Sequence, residues 1–197
     1  GFFLCLTLIN YFCFKLNTMK KLLLLLFLGF TLVGFSQTTE IPDPNFEQAL
    51  IDLGYDTAPI NGSVPTPNIS SVTDLNVNSK NISDLTGIED FTALTNLYFV
   101  NNQLTSLDVS NNNALTILGC GNNQLTSLDV SNNTALTGLT CDNNQLQSLD
   151  VSGAIALEIL RCSSNQLTSL DVSNNTALWR MFCSSNQLTS LDVIGAT

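Results

Sequence analysis

NNQLTSLDVSNN, Asn101 to Asn112, is the stretch that decides the fold, because the chain writes it again and again. Asn122 to Asn133 repeats it letter for letter; NNQLQSLDVSGA follows from Asn143, SNQLTSLDVSNN from Ser164 and SNQLTSLDVIGA from Ser185. The step is 21 residues throughout, marked by Leu97, Leu118, Leu139, Leu160 and Met181, and again by Leu94, Leu115, Leu136, Leu157 and Leu178. A fixed period of this length predicts a solenoid. Each repeat is then one turn of chain and buries its apolar edge only against its neighbours.

The 197 residues suffice for one domain, and the charge is lopsided: 16 acidic residues, 6 basic and no His. Lys15, Lys20 and Lys21 precede Ser36, so only Lys80, Arg161 and Arg180 offset the acids in the rest of the chain. Such a surface repels phosphate backbones and anionic lipid, which argues against nucleic acid and membrane surfaces as partners. The lack of His removes the commonest general base and the commonest metal ligand.

Met19-Lys20-Lys21 leads into LLLLLFLGFTLVGF and then Ser36-Gln37. A basic start, an apolar run and the small-x-small ending Gly34-Phe35-Ser36 read as a secretory signal peptide over 19–36. The run from Leu22 to Phe35 has 14 residues. A membrane span needs roughly 20. Residues 1–18 lack an initiating Met and are rich in Phe and Leu, which reads as translated sequence upstream of the start. Residues 37–71 are expected to form an N-terminal cap. Within it PDPNFEQALIDLGY, Pro42 to Tyr55, predicts a helix with Asp43 as N-cap, Pro44 in the first turn and Gly54 just past the end. Phe46, Ala49, Leu50 and Leu53 fall on its apolar face. The stretch from Thr57 to Pro67, with three prolines and Gly62, reads as a loop. Residues 72–197 form the repeats. The first turn is one residue longer, since Leu75 leads Leu97 by 22.

Leu115, Leu118, Cys120, Asn123 and Leu125 occupy the marked places of LxxLxLxxNxL. On these residues the sequence resembles the leucine-rich-repeat family, over roughly Val72 to Val193. The variant is similar to the 21-residue repeats of secreted bacterial proteins of Bacteroidetes type. The second half of each copy, LTSLDVSNN, echoes the first. The expected fold is therefore mostly β: a solenoid with short parallel strands on both arms of each turn, plus the capping helix. Alternation predicts Leu118 and Cys120 inward, Gly119 and Gly121 outward. The resemblance further implies more repeats and a C-terminal sorting domain. The sequence ends at Thr197 in mid-repeat and reads as a fragment.

Three columns follow from the period. Asn102, Asn123, Asn144, Asn165 and Asn186 stand at the bend after the first strand, where an inward amide pairs backbone groups that the turn leaves open. Cys120, Cys141, Cys162 and Cys183 stack on the first arm. Strands spaced about 4.8 Å put the outer two roughly 14 Å apart. One zinc needs every thiolate at about 2.3 Å, so these read as small buried apolar residues rather than a metal site. Asp108, Asp129, Asp150, Asp171 and Asp192 stack on the second arm and face water; calcium is their functional alternative, although the glycine-rich turn of calcium-binding solenoids is missing.

Positions identical in every copy are accounted for by stacking, so a message has to lie where the copies differ. The outward column Tyr98, Gly119, Thr140, Arg161, Phe182 differs, and so does the approach to each strand, ending in Trp179-Arg180. Trp and Arg dominate binding hot spots. Arg161, Trp179, Arg180, Phe182 and Tyr98 are thus the candidate binding residues, and no catalytic residue or cofactor is implied. The leading reading is a non-enzymatic, secreted or cell-surface scaffold that binds a protein or glycan on its solenoid face. The rivals are a non-catalytic arm of a larger enzyme, a structural spacer, and, if the leader is misread, a signalling adaptor.

Overall fold

The structure, a computed structural model, describes residues 37–193. The leader over 19–36, the upstream stretch 1–18 and the last residues 194–197 lie outside the described residues. Strand β1 (Thr38–Glu40) is followed by helix α1 (Pro44–Asp52), strand β2 (Ser63–Pro65) and a helical turn at Thr66–Ile69. The solenoid then supplies β3 (Asp74–Asn76), β4 (Asn96–Tyr98), β5 (Ile117–Gly119), β6 (Ser127–Asp129), β7 (Gly138–Thr140), β8 (Ser148–Asp150), β9 (Ile159–Arg161), β10 (Ser169–Asp171), β11 (Arg180–Phe182) and β12 (Ser190–Asp192).

The first arm is one parallel sheet, ordered β3-β4-β5-β7-β9-β11. Its register runs Leu75, Leu97, Leu118, Leu139, Leu160, Met181, one residue per strand. Each strand has three residues, and the middle one points into the core, where Leu75, Leu97, Leu118, Leu139 and Leu160 are buried. Burying one such leucine is worth about 1.5–3 kcal/mol. A one-residue slip would turn every one of them to water, so the repeated leucine fixes the register. At the last described turn Leu191 is 42% exposed, while its column neighbours Leu128 and Leu170 are buried.

The second arm carries the expected short parallel strands on four turns, as β6, β8, β10 and β12. Its strands pair only as β6 with β8 and β10 with β12, and the corresponding residues 106–108 form no strand. The first-arm asparagine column is unbroken from Asn102 to Asn186, whereas the second-arm column is interrupted at Ala154, between the turns of β6 and β8, which pair all the same.

Asp43 caps α1: its Oδ1 accepts from the amides of Asn45 and Phe46 at 2.8 and 3.1 Å. Pro44 opens the helix and Gly54 follows it in the left-handed region, φ 81°. Phe46, Ala49 and Leu50 are buried, with Phe46 stacked on Phe91 at 6.3 Å between ring centroids. Leu53 is not buried with them: as the C-cap it keeps right-handed helical angles and donates its amide to the Ala49 carbonyl at 3.1 Å, but its side chain stands 45% exposed. The buried carboxylate of Glu47 was not legible as a core residue. It accepts from the Asn61 and Gly62 amides at 2.6 and 2.8 Å and so closes the following loop. That loop is also more ordered than its prolines suggest: β2 pairs antiparallel with β1, Thr39 opposite Val64. β1 and β2 are three residues each and lie outside the repeats, so no 21-residue period marks them in the sequence.

Candidate functional site

The asparagine column holds the turns together. Asn123 Oδ1 accepts from the Leu104 amide at 3.1 Å, and its Nδ2 donates to the Phe99 and Cys120 carbonyls at 3.1 Å each. Asn144, Asn165 and Asn186 repeat the pattern one turn further on. Asn102 starts the column. Its Oδ1 receives the Lys80 and Ile82 amides, while Lys80 itself turns outward to Asp52 at 2.9 Å. A second column went unread in the sequence although its period was there: Asn112, Asn133 and Asn175. Each is buried, and each donates through Nδ2 to two carbonyls of the preceding turn. Their Oδ1 atoms are buried without a partner.

Cys120, Cys141, Cys162 and Cys183 are free thiols; the first three are buried and Cys183 is half-buried. Burial pushes the Cys120 and Cys141 thiols well up and takes Cys162 to about 12. They stay protonated and unreactive at neutral pH. On the second arm each aspartate turns back on its own loop: Asp108, Asp129, Asp150 and Asp171 accept the amides of Ser110, Ser131, Ser152 and Ser173 at 2.8–2.9 Å. The serine hydroxyl and amide lower the carboxyls of Asp108, Asp150 and Asp171 below the usual range. Among the described residues no three His, Cys, Asp or Glu side chains converge on a point that a metal ion would occupy.

The outward face of the first-arm sheet is uneven. Gly119 and Gly121 face outward yet are buried, since neighbouring turns close over them: a Cβ on Gly119 would stand 3.0 Å from the Tyr98 ring, and one on Gly121 3.1 Å from the Asp142 carbonyl oxygen. Tyr98, on β4, therefore lies over Gly119. It is separated from Arg161 by β5 and β7, so it does not join the other four candidates.

Those four do meet. Arg161 holds its guanidinium 4.7 Å from the centroid of the Phe182 ring. Arg180 lies 5.0 Å from the Trp179 ring and 5.8 Å from that of Phe182. Arg161 Nε donates to Asp142 Oδ2 at 3.2 Å, and Asp142 Oδ1 accepts the Ser163 amide at 2.7 Å. Trp179 is 59% and Phe182 39% exposed.

A threonine ladder, also unread in the sequence, sets this cluster apart. The hydroxyls of Thr95, Thr116 and Thr137 each donate to the backbone carbonyl of the residue one turn back in the same column: Thr73, Thr95 and Thr116. The next two members of that column are Glu158 and Trp179. Neither side chain has a hydroxyl to continue the ladder. The last turns have exchanged a stacking residue for an exposed one.

No family model and no curated protein matches the chain. Solved structures do. The functional domain of InlJ from Listeria monocytogenes, which includes a cysteine ladder, is 39% identical with a TM-score of 0.73, over 80% of this chain and 36% of that one. An internalin, inlF, from Listeria monocytogenes str. 4b F2365 is 25% identical with a TM-score of 0.66, over 75% and 45%. A leucine-rich-repeat protein of Leptospira interrogans shares the fold at 24% identity and a TM-score of 0.60, over 62% and 33%. The chain thus spans less than half the length of each. Its architecture is the leucine-rich-repeat solenoid with 21-residue turns, and its structural neighbours include Listeria internalins and a Leptospira leucine-rich-repeat protein.

Proposed function

We propose that the chain is a non-enzymatic interaction scaffold, exported to the cell surface or the medium, which binds a partner protein on the outward face of its first-arm sheet. One observation carries this: Arg161, Trp179, Arg180 and Phe182 of the last turns meet in one exposed cluster, in columns whose residues change from turn to turn. An exposed aromatic beside arginine buries apolar area and pairs with polar groups together, as interface centres do. The leader sequence over 19–36 and the internalin-type neighbours support export. Among the described residues no helix is long and apolar enough to cross a membrane.

The test immobilises the full chain, captures binding proteins from cell-surface and secreted fractions, and measures the affinity of a purified one. Arg161→Ala with Phe182→Ala is compared with the parent for affinity and melting temperature. Lost affinity at unchanged melting temperature supports a binding face. Unchanged affinity, or loss that only follows unfolding, leaves a structural spacer, a reading that the near-identity of the repeats favours.

A further inference from the structure

Resting on that reading, we propose that the cluster is a receptor for a single carboxylate presented next to an aromatic side chain on a basic segment of the partner protein, with Arg180 as the group that takes the carboxylate. Beyond Ser36 the chain has three cations against sixteen acids. Lys80 is engaged by Asp52 and Arg161 by Asp142. Arg180 is exposed, and its described contacts are the Trp179 and Phe182 rings, with no carboxylate among them. Among the described residues no acid pairs with Arg180, and its exposed fork of donors matches the two oxygens of a carboxylate.

The surroundings narrow the occupant. Phe182 has two guanidiniums against it, so positive charge gathers at one ring, and Asp142 balances only one of them. Of the two guanidiniums at this ring, that of Arg180 is the one with no described ion pair. The acids around it, Asp142 on one side and Glu158 on the turn whose carbonyl receives the Trp179 and Arg180 amides, repel a second anion and attract flanking lysine or arginine. A polyanion is disfavoured by the net charge of −10. The open edges of Trp179 and Phe182 offer apolar area to an aromatic neighbour. The basic flanks that the acidic surroundings favour belong to a protein segment rather than to a glycan.

Trp179 is the single tryptophan of the chain, so its emission reports this site alone. The full chain is titrated with acetyl-Lys-Phe-Glu-Lys-amide, with its glutamine twin acetyl-Lys-Phe-Gln-Lys-amide and with a galacturonate trisaccharide. The glutamate peptide is expected to shift the emission saturably and to bind about tenfold more tightly than the twin, as one charge-assisted pair allows. Arg180→Gln should remove that preference at unchanged melting temperature. Equal binding of the two peptides, no saturable shift with either, retention of the preference in Arg180→Gln, or tighter binding of the trisaccharide each overturns the proposal. The interaction face is judged separately: a partner lost with Arg161→Ala and Phe182→Ala but indifferent to Arg180→Gln leaves that face standing and removes only the carboxylate receptor.

Discussion

A Cβ placed on Gly153 would stand 1.7 Å from the carbonyl oxygen of Ser131, one turn below it. No side chain fits there without moving backbone. The preceding copy has Asn132 at this place in its own turn, so the glycine belongs to the third copy's SGAI loop, which lies against the turn whose strand β6 pairs with β8. Gly153→Ala is expected to destabilise the chain by about 1–3 kcal/mol, the range for overpacking a closed site. Denaturant unfolding with an unchanged m-value checks this; a loss under about 0.5 kcal/mol, the range of an ordinary surface substitution, would count against the close approach.

The two asparagine columns should differ in strength. Asn123 satisfies two buried carbonyls and one amide with both ends of its side chain, while Asn133 satisfies carbonyls only and buries an unpartnered Oδ1. Removing Asn123 strands groups that have no water to turn to, at about 1–3 kcal/mol each. Asn133→Ala also relieves the buried oxygen, and Ala154 already stands in that column. Asn123→Ala should therefore lower stability by clearly more than Asn133→Ala. Equal losses would refute the distinction.

The thiols make an alkaline prediction. Burial holds Cys120 and Cys141 well above the ordinary 9.0 and Cys162 at about 12. A raised folded pKa adds stability that is complete below the unfolded value and is lost as pH climbs through the folded one. Stability should thus fall from about pH 9 upward, and less so in Cys141→Ala. At neutral pH, peptide mapping after brief alkylation should find half-buried Cys183 modified before the three buried thiols.

Asp43 makes the acid prediction. Burial raises its carboxyl, but the Ser83 amide and hydroxyl and the Phe46 and Asn45 amides outweigh that and hold it below 3.8. Its Oδ2 also accepts the Asp84 amide at 3.0 Å, so one side chain ties the cap to the first turn. A depressed folded pKa gives stability that is present above the unfolded value and is lost as pH falls through the folded one. Asp43→Ala should cost about 1–2 kcal/mol at neutral pH, the scale of a lost N-cap. Asp43→Asn should flatten the decline below about pH 4. Hydrogen exchange should show α1 opening first in both variants; uniform protection would sink the idea that Asp43 is the tether.

The 21-residue period alone determined the solenoid, the inward leucines and the register, because stacking identical turns leaves each residue the same neighbours along its column. It also placed Asp43, Pro44 and Gly54 at the ends of α1, since capping is chemistry between near neighbours in sequence. Only the tertiary structure decided what depends on distances between turns. Leu53 stayed exposed while Glu47 was buried by amides fourteen and fifteen residues on. Gly119 and Gly121 were covered by neighbours, and the second-arm ladder broke into pairs. The candidate site divides the same way. Its residues stood out as deviations from the repeat, but that Arg161 and Arg180 converge on Phe182 while Tyr98 stays apart follows from which side chains adjacent strands bring within reach, a relation between columns that a one-dimensional pattern does not contain.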